Sequence, residues 1–247
     1  MRGIRTPKSP EVKYRRQLDG LTRRLRDDIS VNIIPLLKQL EPQYVNDGYA
    51  TTLEEVFDNL RRNYSSIGDQ ARIVSNDFVE NSNSVNKKRF YKSMNDAVGI
   101  DLQNIIQSEG LEDILVGTTR ANVNLIKSIP DEYFKKIETI VFSNTTQGAN
   151  AGSMIDQIKK IGHSTTKRAR LIARDQSSKL NSALSQQRQQ NLGIEEYIWR
   201  TSGDERVRDD HKANNGKTFR WDQPPKKTGH PGQDIQCRCI AQAIINI

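Results

Sequence analysis

Apolar residues that recur at intervals of three and four constrain the fold of this chain more than any other feature. Between Glu11 and Leu40 this spacing places them on one face of a helix. Pro35 is expected to end or kink that helix, because proline lacks the amide hydrogen that an inner turn needs. Pro7 and Pro10 come earlier, so we predict that residues 1–9 form an extended basic arm. The apolar positions are Val12, Tyr14, Leu18, Leu21, Leu25, Ile29, Ile33, Leu36, Leu37 and Leu40.

Helical spacing continues as far as Gly193, with several predicted helix starts along the way. The last of these helices has a weakly apolar face, so it must pack closely against another element or stay partly exposed. The expected starts and spans are a capping box at Thr52-x-x-Glu55, a start at Pro130, a short helix over 153–161, and a helix that begins after Ser164 or Thr165 and ends near Gly193.

The pattern changes after Gly193. Residues 196–201 alternate large side chains, which predicts a strand, and residues 217–221 suggest a second one. One or two helical turns are expected over 206–212, and residues 237–247 are β-prone. The predicted fold class is therefore α+β: mostly helical, with an elongated N-terminal region and a small C-terminal α+β module. The predicted segments are the arm at 1–9, a helical region at 10–193 and the module at 194–247.

Composition excludes several classes of protein. Leu, Ile, Val and Phe together are only slightly more abundant than in disordered chains, so we expect a thin core. Parts of residues 40–150 are then expected to order only on a partner. No run of apolar residues is long enough for a transmembrane helix, and no apolar segment follows the basic N-terminus, so a secretory signal is not expected. Two cysteines cannot form a disulfide-rich scaffold.

The net charge of +8 is concentrated at the two ends of the chain. The first 30 residues carry +5 and residues 151–247 carry +7, whereas the stretch between them carries −4. Such ends attract polyanions, and the alternative is a basic surface that only aids solubility. The candidate DNA or polyanion contacts are Arg2, Arg5, Lys8, Lys167, Arg168 and Arg170.

Residue types that carry chemistry are concentrated in the last module, which holds both cysteines, both tryptophans and two of the three histidines. One interpretation is a zinc site formed by the two-His, two-Cys set His211, His230, Cys237 and Cys239. A second is a catalytic thiol–histidine pair or a metal-dependent nuclease centre. A third is structural: an arginine–carboxylate network around Trp199 and Trp221, with both cysteines as free thiols. The residues alone leave these three open.

The module resembles the C-terminal region of the phage Mu F-like head morphogenesis (minor head protein) family. The resemblance covers residues 164–247 and is specific, because several separated pieces occur in the family's order. Two departures stand out: Asp175 follows Ile172-Ala173-Arg174 where the family usually has Thr-Glu, and Gln236 replaces an Asn. We expect Asp175 to supply the carboxylate one position early. The matching positions are Trp199, Asp204, Arg206, Arg208, His211, Gly216, His230, Pro231, Cys237, Arg238 and Cys239.

The resemblance implies a structural protein of a tailed phage or prophage. Such a protein associates with the portal, contacts the major capsid or scaffolding protein, and meets packaged DNA without sequence preference. It is expected in the procapsid or virion at the portal vertex, and in the host cytoplasm during assembly, with no membrane. No enzymatic activity and no cofactor other than a possible zinc ion are implied. The alternatives are a metal-dependent nuclease or a non-specific DNA-binding protein that uses the C-terminal His/Cys cluster.

Overall fold

The computed structural model describes residues 3–41, 49–99 and 109–245. Long helices dominate, and a three-stranded antiparallel sheet lies near the C-terminus, which confirms the predicted mostly helical α+β class. No helix in the described ranges is both long enough and apolar enough to span a membrane. The elements are α1 (Lys8–Asn32), α2 (Ile34–Leu40), α3 (Tyr49–Asn63), α4 (Ile67–Val98), α5 (Glu112–Thr145), α6 (Ala151–Asn191), β1 (Glu196–Arg200), α7 (Asp209–Asn214), β2 (Thr218–Arg220) and β3 (Ile240–Ala243).

Several predicted helix boundaries were wrong. Pro130 lies inside α5, because the buried residues Ile126, Ile129 and Tyr133 keep one helical phase across it. Their burial outweighs the loss of one backbone hydrogen bond. Thr52 likewise lies inside α3 and starts no helix.

The two helices predicted around Ser164 are one continuous helix, α6. Ser164 does not cap it: its hydroxyl donates to the carbonyl of Ile161 at 2.9 Å, and the Thr166 hydroxyl donates to that of Gly162 at 3.1 Å. Hydroxyl groups that bond back to the preceding turn are compatible with a helix interior. The predicted break at Pro35 is confirmed, since α1 ends at Asn32 and α2 begins at Ile34.

The chain forms two compact units that differ from the three predicted linear segments. Unit 1 comprises Met1–Tyr14, Ser75–Arg120 and Ala173–Ile247, and unit 2 comprises Arg15–Val74 and Ala121–Ile172. The C-terminal module is therefore one part of unit 1. Within that unit an apolar cluster joins Ile4, α4 and the end of β3, and its buried members are Ile4, Phe90, Tyr91, Met94, Ile194 and Ala243. Residues 3–7, which precede α1, are therefore anchored through Ile4.

The sheet presents one buried face of β1 to the rest of the module. Its strand order is β2-β1-β3, with Tyr197 opposite Phe219 and Trp199 opposite Ala241. Tyr197 and Trp199 alternate with less buried neighbours, as expected for a strand with one face packed. Their rings form a cluster with Trp221, Cys237, Cys239 and Ala241. The aromatic face of β1 thus forms one wall around the two cysteines.

The regular elements of unit 2 are helices throughout its described residues. The apolar residues of α1 from Leu18 onward are buried, as are apolar residues of α3, α5 and α6, and Phe57 and Phe142 have ring centroids 6.1 Å apart. The Tyr64 hydroxyl donates to Asp28 at 2.5 Å. The largest buried apolar side chains of unit 2 include Leu18, Leu25, Ile29, Phe57, Tyr133 and Phe134.

Candidate functional site

Three potential metal ligands converge in unit 1. His211 comes from α7, and Cys237 and Cys239 precede β3. The His211 Nδ1 atom lies 3.3 Å from the Cys239 sulfur and 3.5 Å from the Cys237 sulfur. All three ligand atoms lie within 4.8 Å of one another, and all three residues are buried. Both cysteines are free thiols. We call this group the His-Cys-Cys cluster.

A carboxylate fixes the orientation of the His211 ring. Its Nε2 atom lies 2.8 Å from an oxygen of Asp234, which accepts a hydrogen bond. Because a carboxylate can only accept, Nε2 carries the proton, and in the neutral ring Nδ1 then presents a lone pair to the two sulfurs. The Trp199 ring packs edge-on against the imidazole with centroids 5.4 Å apart. Asp234 and Trp199 thus hold Nδ1 towards the cysteines.

A tight turn places the two sulfurs. Gln236 has φ of 57°, in the left-handed region, and its amide donates to Asp175 on α6 at 2.8 Å. The Cys237 sulfur accepts hydrogen bonds from the backbone amides of Gly232 at 3.3 Å and Cys239 at 3.4 Å. Asp175 is buried and also pairs with Lys179 at 2.8 Å. Its carboxylate therefore supports the cysteine turn.

Two serines of α6 donate hydrogen bonds to the loop that contains Pro231 and Cys237. The Ser178 hydroxyl donates to the carbonyl of Cys237 at 2.5 Å, and the Ser182 hydroxyl donates to that of Pro231. Gly232 has φ of 89°, and a Cβ atom there would lie 2.5 Å from the Cβ of Ser182. Only glycine fits this position, because any side chain would collide with α6 in a strained backbone conformation. The weakly apolar face of α6 is explained by these polar contacts.

The two cysteines differ in acidity. A hydrogen bond with the Cys239 thiol, together with the amides of Cys239 and Gly232, lowers the pKa of Cys237 to about 6, against the opposing effect of burial. The hydrogen bond with Cys237 and burial raise the pKa of Cys239 above its ordinary value. Without a metal, the pair therefore favours a thiolate at Cys237 and a thiol at Cys239 near neutral pH.

His230 is placed outside the His-Cys-Cys cluster. Its Nδ1 atom lies 2.9 Å from the hydroxyl of Tyr197, which donates to it, and its ring centroid lies 4.9 Å from that of Trp221. Burial lowers the pKa of His230, so the ring stays neutral. Among the described residues the group with ligand spacing contains His211, Cys237 and Cys239 only. The four-residue set expected from the sequence is thus reduced to three.

A cavity of about 400 Å³ opens beside the cluster, and arginines dominate its lining. Arg208 donates to the carbonyl of Ile235 at 2.6 Å and pairs with Asp234 at 3.3 Å. Arg238 forms a two-pronged pair with Asp204, which lowers the pKa of that carboxyl. In the part of the chain that the structure describes, the guanidinium groups of Arg174 and Arg206 have no ion-pair partner. The lining includes Arg174, Arg206, Arg208, Arg238, His211, Cys237 and Cys239.

Two further residues of the family pattern, Gly216 and Pro231, have structural roles in unit 1. Gly216 has φ of 81°, and its amide donates to the carbonyl of Trp199 at 2.8 Å, which closes the turn before β2. Pro231 is buried next to His230.

The predicted polyanion contacts fall in different units. Arg5 and Lys8 line a second cavity of unit 1, of about 330 Å³, together with Arg174 and Arg238. Arg2 lies outside the described residues. In unit 2, Lys167 is exposed, whereas the other two cations are engaged: Arg168 pairs with Glu132 and Arg170 with Asp19, both at 2.9 Å.

A second buried polar centre of unit 1 was missed by the sequence interpretation. Arg188 of α6 is 1% exposed and forms two hydrogen bonds of 2.9 Å with Glu109. It also donates to Asn83 at 2.6 Å and to Asn86. A cation in phase with the buried Leu180 and Leu184 was a signal that could have revealed it, although its partners are distant in sequence. Asp234 and Arg174 were also missed.

Residues 135–242 match the family model described as Phage Mu protein F like protein. This segment contains the end of α5, all of α6 and the whole cysteine turn. The match confirms the resemblance: residues 135–242 are similar to the phage Mu F-like family.

The chain is also similar to a protein of Haemophilus influenzae (strain Rd) that is described as uncharacterized. The two are 33% identical over 251 residues, which is 98% of this chain and 55% of the relative. The chain thus spans about half the length of that relative. No solved structure matches the chain.

Proposed function

We propose that the chain is a minor head protein of a tailed phage or prophage and acts as a portal-associated structural adaptor. It aids capsid assembly and the retention or delivery of packaged DNA, and it is a component of the virion at the portal vertex. The observation that carries this proposal is the family match over residues 135–242. In this proposal the chain performs no turnover, and the buried clusters of unit 1 keep its binding surfaces in shape.

The adaptor role is supported by how unit 1 is held together. Serine, asparagine and aspartate side chains of α6 bond to backbone groups of remote segments, including the carbonyl of Ile4, which accepts from Asn181 at 3.0 Å. Directional bonds of this kind define one arrangement of the loops more strictly than apolar contact does. A loop surface with one defined shape is what docking on a repeated ring of subunits requires.

The DNA-contact part of the proposal is supported by the basic linings of two cavities in unit 1. Both linings include Arg174 and Arg238, and the second adds Arg5 and Lys8. Arg174 is exposed and has no ion-pair partner among the described residues, which suits a phosphate contact that needs no sequence readout.

Co-purification with the portal protein of the same phage tests the proposal. We expect a complex that survives gel filtration at both low and high salt, with a mass that corresponds to one or a few copies per portal ring. A variant with an altered unit 1 surface, Arg206→Glu with Ile235→Asp, serves to map the contact. No complex at either salt concentration would overturn the adaptor role.

The salt dependence of DNA binding tests the second part. Replacing Arg174 and Arg206 by Gln is expected to reduce the slope of log affinity against log salt by about 2, since each lost phosphate contact removes about one counterion. The matched control replaces two exposed cations of unit 2, Arg23 and Lys135, by Gln and should leave the slope unchanged. Equal slopes in both double variants would contradict a DNA contact at the cavity.

A metal-dependent nuclease is the second candidate, because the His-Cys-Cys cluster faces a cavity lined by arginines. It makes the opposite prediction: DNA cleavage with a divalent ion that is lost in His211→Ala. Uncut plasmid after incubation with magnesium, manganese and zinc would remove this candidate.

A further inference from the structure

The geometry points to a zinc(II) site formed by His211 Nδ1, Cys237 Sγ and Cys239 Sγ, with its fourth coordination position open to the arginine-lined cavity. The inference does not depend on the proposed head function, because it rests on ligand positions in unit 1 alone. A zinc ion could be present whether the chain acts as an adaptor or as an enzyme.

The ligand separations fit a tetrahedral zinc ion. Zinc–sulfur bonds of about 2.3 Å and zinc–nitrogen bonds of about 2.0 Å at tetrahedral angles place nitrogen and sulfur about 3.5 Å apart. The observed separations from His211 Nδ1 are 3.3 Å to Cys239 and 3.5 Å to Cys237. One ion at the centre of the cluster can therefore reach all three atoms with little movement.

The groups around the ligands match the surroundings of metal sites. A metal-bound histidine usually donates its second N–H to a carboxylate, and Asp234 lies 2.8 Å from Nε2 of His211. The Cys237 sulfur accepts two backbone amide hydrogen bonds, from Gly232 and Cys239, which stabilise a thiolate. These contacts turn the lone pair of His211 Nδ1 and a thiolate of Cys237 towards the centre of the cluster.

The ligand types select the metal. Two thiolates and one imidazole favour zinc over magnesium and calcium, which prefer oxygen ligands. When zinc binds, any proton still held by the two cysteine sulfurs, above all that of Cys239, passes to solvent, and the two thiolates balance the double positive charge of the ion. A buried cluster is thereby left without net charge, which removes the cost of burying an isolated ion.

The fourth ligand comes from outside the cluster. Among the described residues, His211, Cys237 and Cys239 are the three that lie close enough together to bind one ion, and all three line the cavity. Sites with three protein ligands keep an exchangeable position for water or another small ligand. Because Arg174 and Arg206 line the cavity into which this position opens, an anion is expected to compete with water for it.

Metal analysis of the whole 247-residue chain tests the inference. We expect about one zinc ion per chain after incubation with zinc and dialysis. The cobalt(II)-loaded chain should show the intense visible absorption of a tetrahedral thiolate site. Both sulfurs belong to the cluster, so a thiol reagent should react slowly with the zinc-loaded chain and rapidly after chelation. A chain that retains no zinc, and whose thiols react equally with and without it, would overturn the site.

Single substitutions assign the ligands. His211→Gln, Cys237→Ser and Cys239→Ser are each expected to abolish stoichiometric zinc, and Asp234→Asn should weaken zinc affinity about tenfold or more. His230→Gln is the buried control and His163→Gln the exposed one, and both should keep one zinc per chain. Loss of zinc in His230→Gln but not in His211→Gln would refute the assignment. Where a variant does not fold, the cobalt spectrum and thiol protection of the unaltered chain still decide whether the site exists.

Discussion

The two halves of α6 bury different kinds of side chain. Its first half, in unit 2, buries mainly apolar residues such as Met154, Ile158 and Ile172. Its second half, in unit 1, buries seven polar or charged residues, which are Asp175, Ser177, Ser178, Asn181, Ser185, Arg188 and Gln189. The first half of α6 is therefore held mainly by apolar burial, which tolerates small changes of shape, whereas its second half makes directed bonds with remote residues of unit 1.

This difference explains why the chemistry is found in unit 1. A ligand cluster needs atoms held to within a fraction of an ångström, and hydrogen bonds such as those of Asp175 and Asp234 provide that precision. An apolar helical core contributes stability without fixing any one atom so closely.

The largest effect is expected from Arg188→Leu in unit 1. The substitution leaves Glu109 without its bidentate partner in a partly buried place, so the free energy of unfolding should fall by about 3–5 kcal/mol. Urea denaturation measures the change. Adding Glu109→Gln should recover part of the loss, because the uncompensated charge is then removed. If the single variant were as stable as the parent chain, the network would not support unit 1.

The counterpart in unit 2 is Ile137→Ala. Ile137 is fully buried, and deleting its side chain leaves a cavity, so we expect a loss of about 3 kcal/mol in the same denaturation experiment. Ile137→Val should cost about 1 kcal/mol, because most of the volume is kept. In contrast to Arg188→Leu, no second substitution of a charged residue should rescue it.

A smaller effect is expected from Asp175→Ala. The amide of Gln236 loses its acceptor, and stability should fall by about 1–2 kcal/mol. The cysteine turn should loosen at the same time, so thiol reactivity rises even without metal. Asp175→Asn keeps an acceptor oxygen and is the matched control. Unchanged thiol reactivity in Asp175→Ala would show that the turn holds its shape without α6.

The smallest effect is the dependence of stability on His230 and pH. Burial lowers the folded-state pKa of His230, so the unfolded chain, with a pKa near 6.5, binds the proton first as pH falls. The stability due to neutral His230 is thus present above about pH 6.5 and is lost as pH falls through the folded-state pKa. Melting temperatures between pH 7.5 and 5 should fall less steeply for His230→Gln than for the parent chain. Parallel profiles would contradict a neutral buried His230.

The positions of several helices and strands were predictable, because they follow from the spacing of apolar residues along the chain. The apolar spacing of Leu18, Leu25 and Ile29 identified the buried face of α1, and Pro35 marked its end. The alternation around Tyr197 and Trp199 identified β1. The helix starts at Pro130 and Ser164 were predicted wrongly, because a capping signal is weak compared with the burial of a continuous face.

The candidate site was only partly predictable. The sequence identified the module and the residue types, because histidine, cysteine and tryptophan are rare in this chain and occur together near its end. It could not separate His211 from His230, because both stand in polar stretches, and their separations from Cys237, 26 and 7 residues, do not determine which ring meets the sulfurs. The structure separates them: Asp234 orients His211 towards the sulfurs, and Tyr197 holds His230 in the aromatic cluster.

By itself, the sequence determined the helical class, the C-terminal module and the family pattern, because each depends on spacing along the chain. Only the tertiary structure decided which ligands meet, what Asp175 supports and how Arg188 is compensated. Those contacts join residues up to 105 positions apart. Their partners are selected by the packing of α4, α6 and the cysteine turn in unit 1, and no local pattern records that choice.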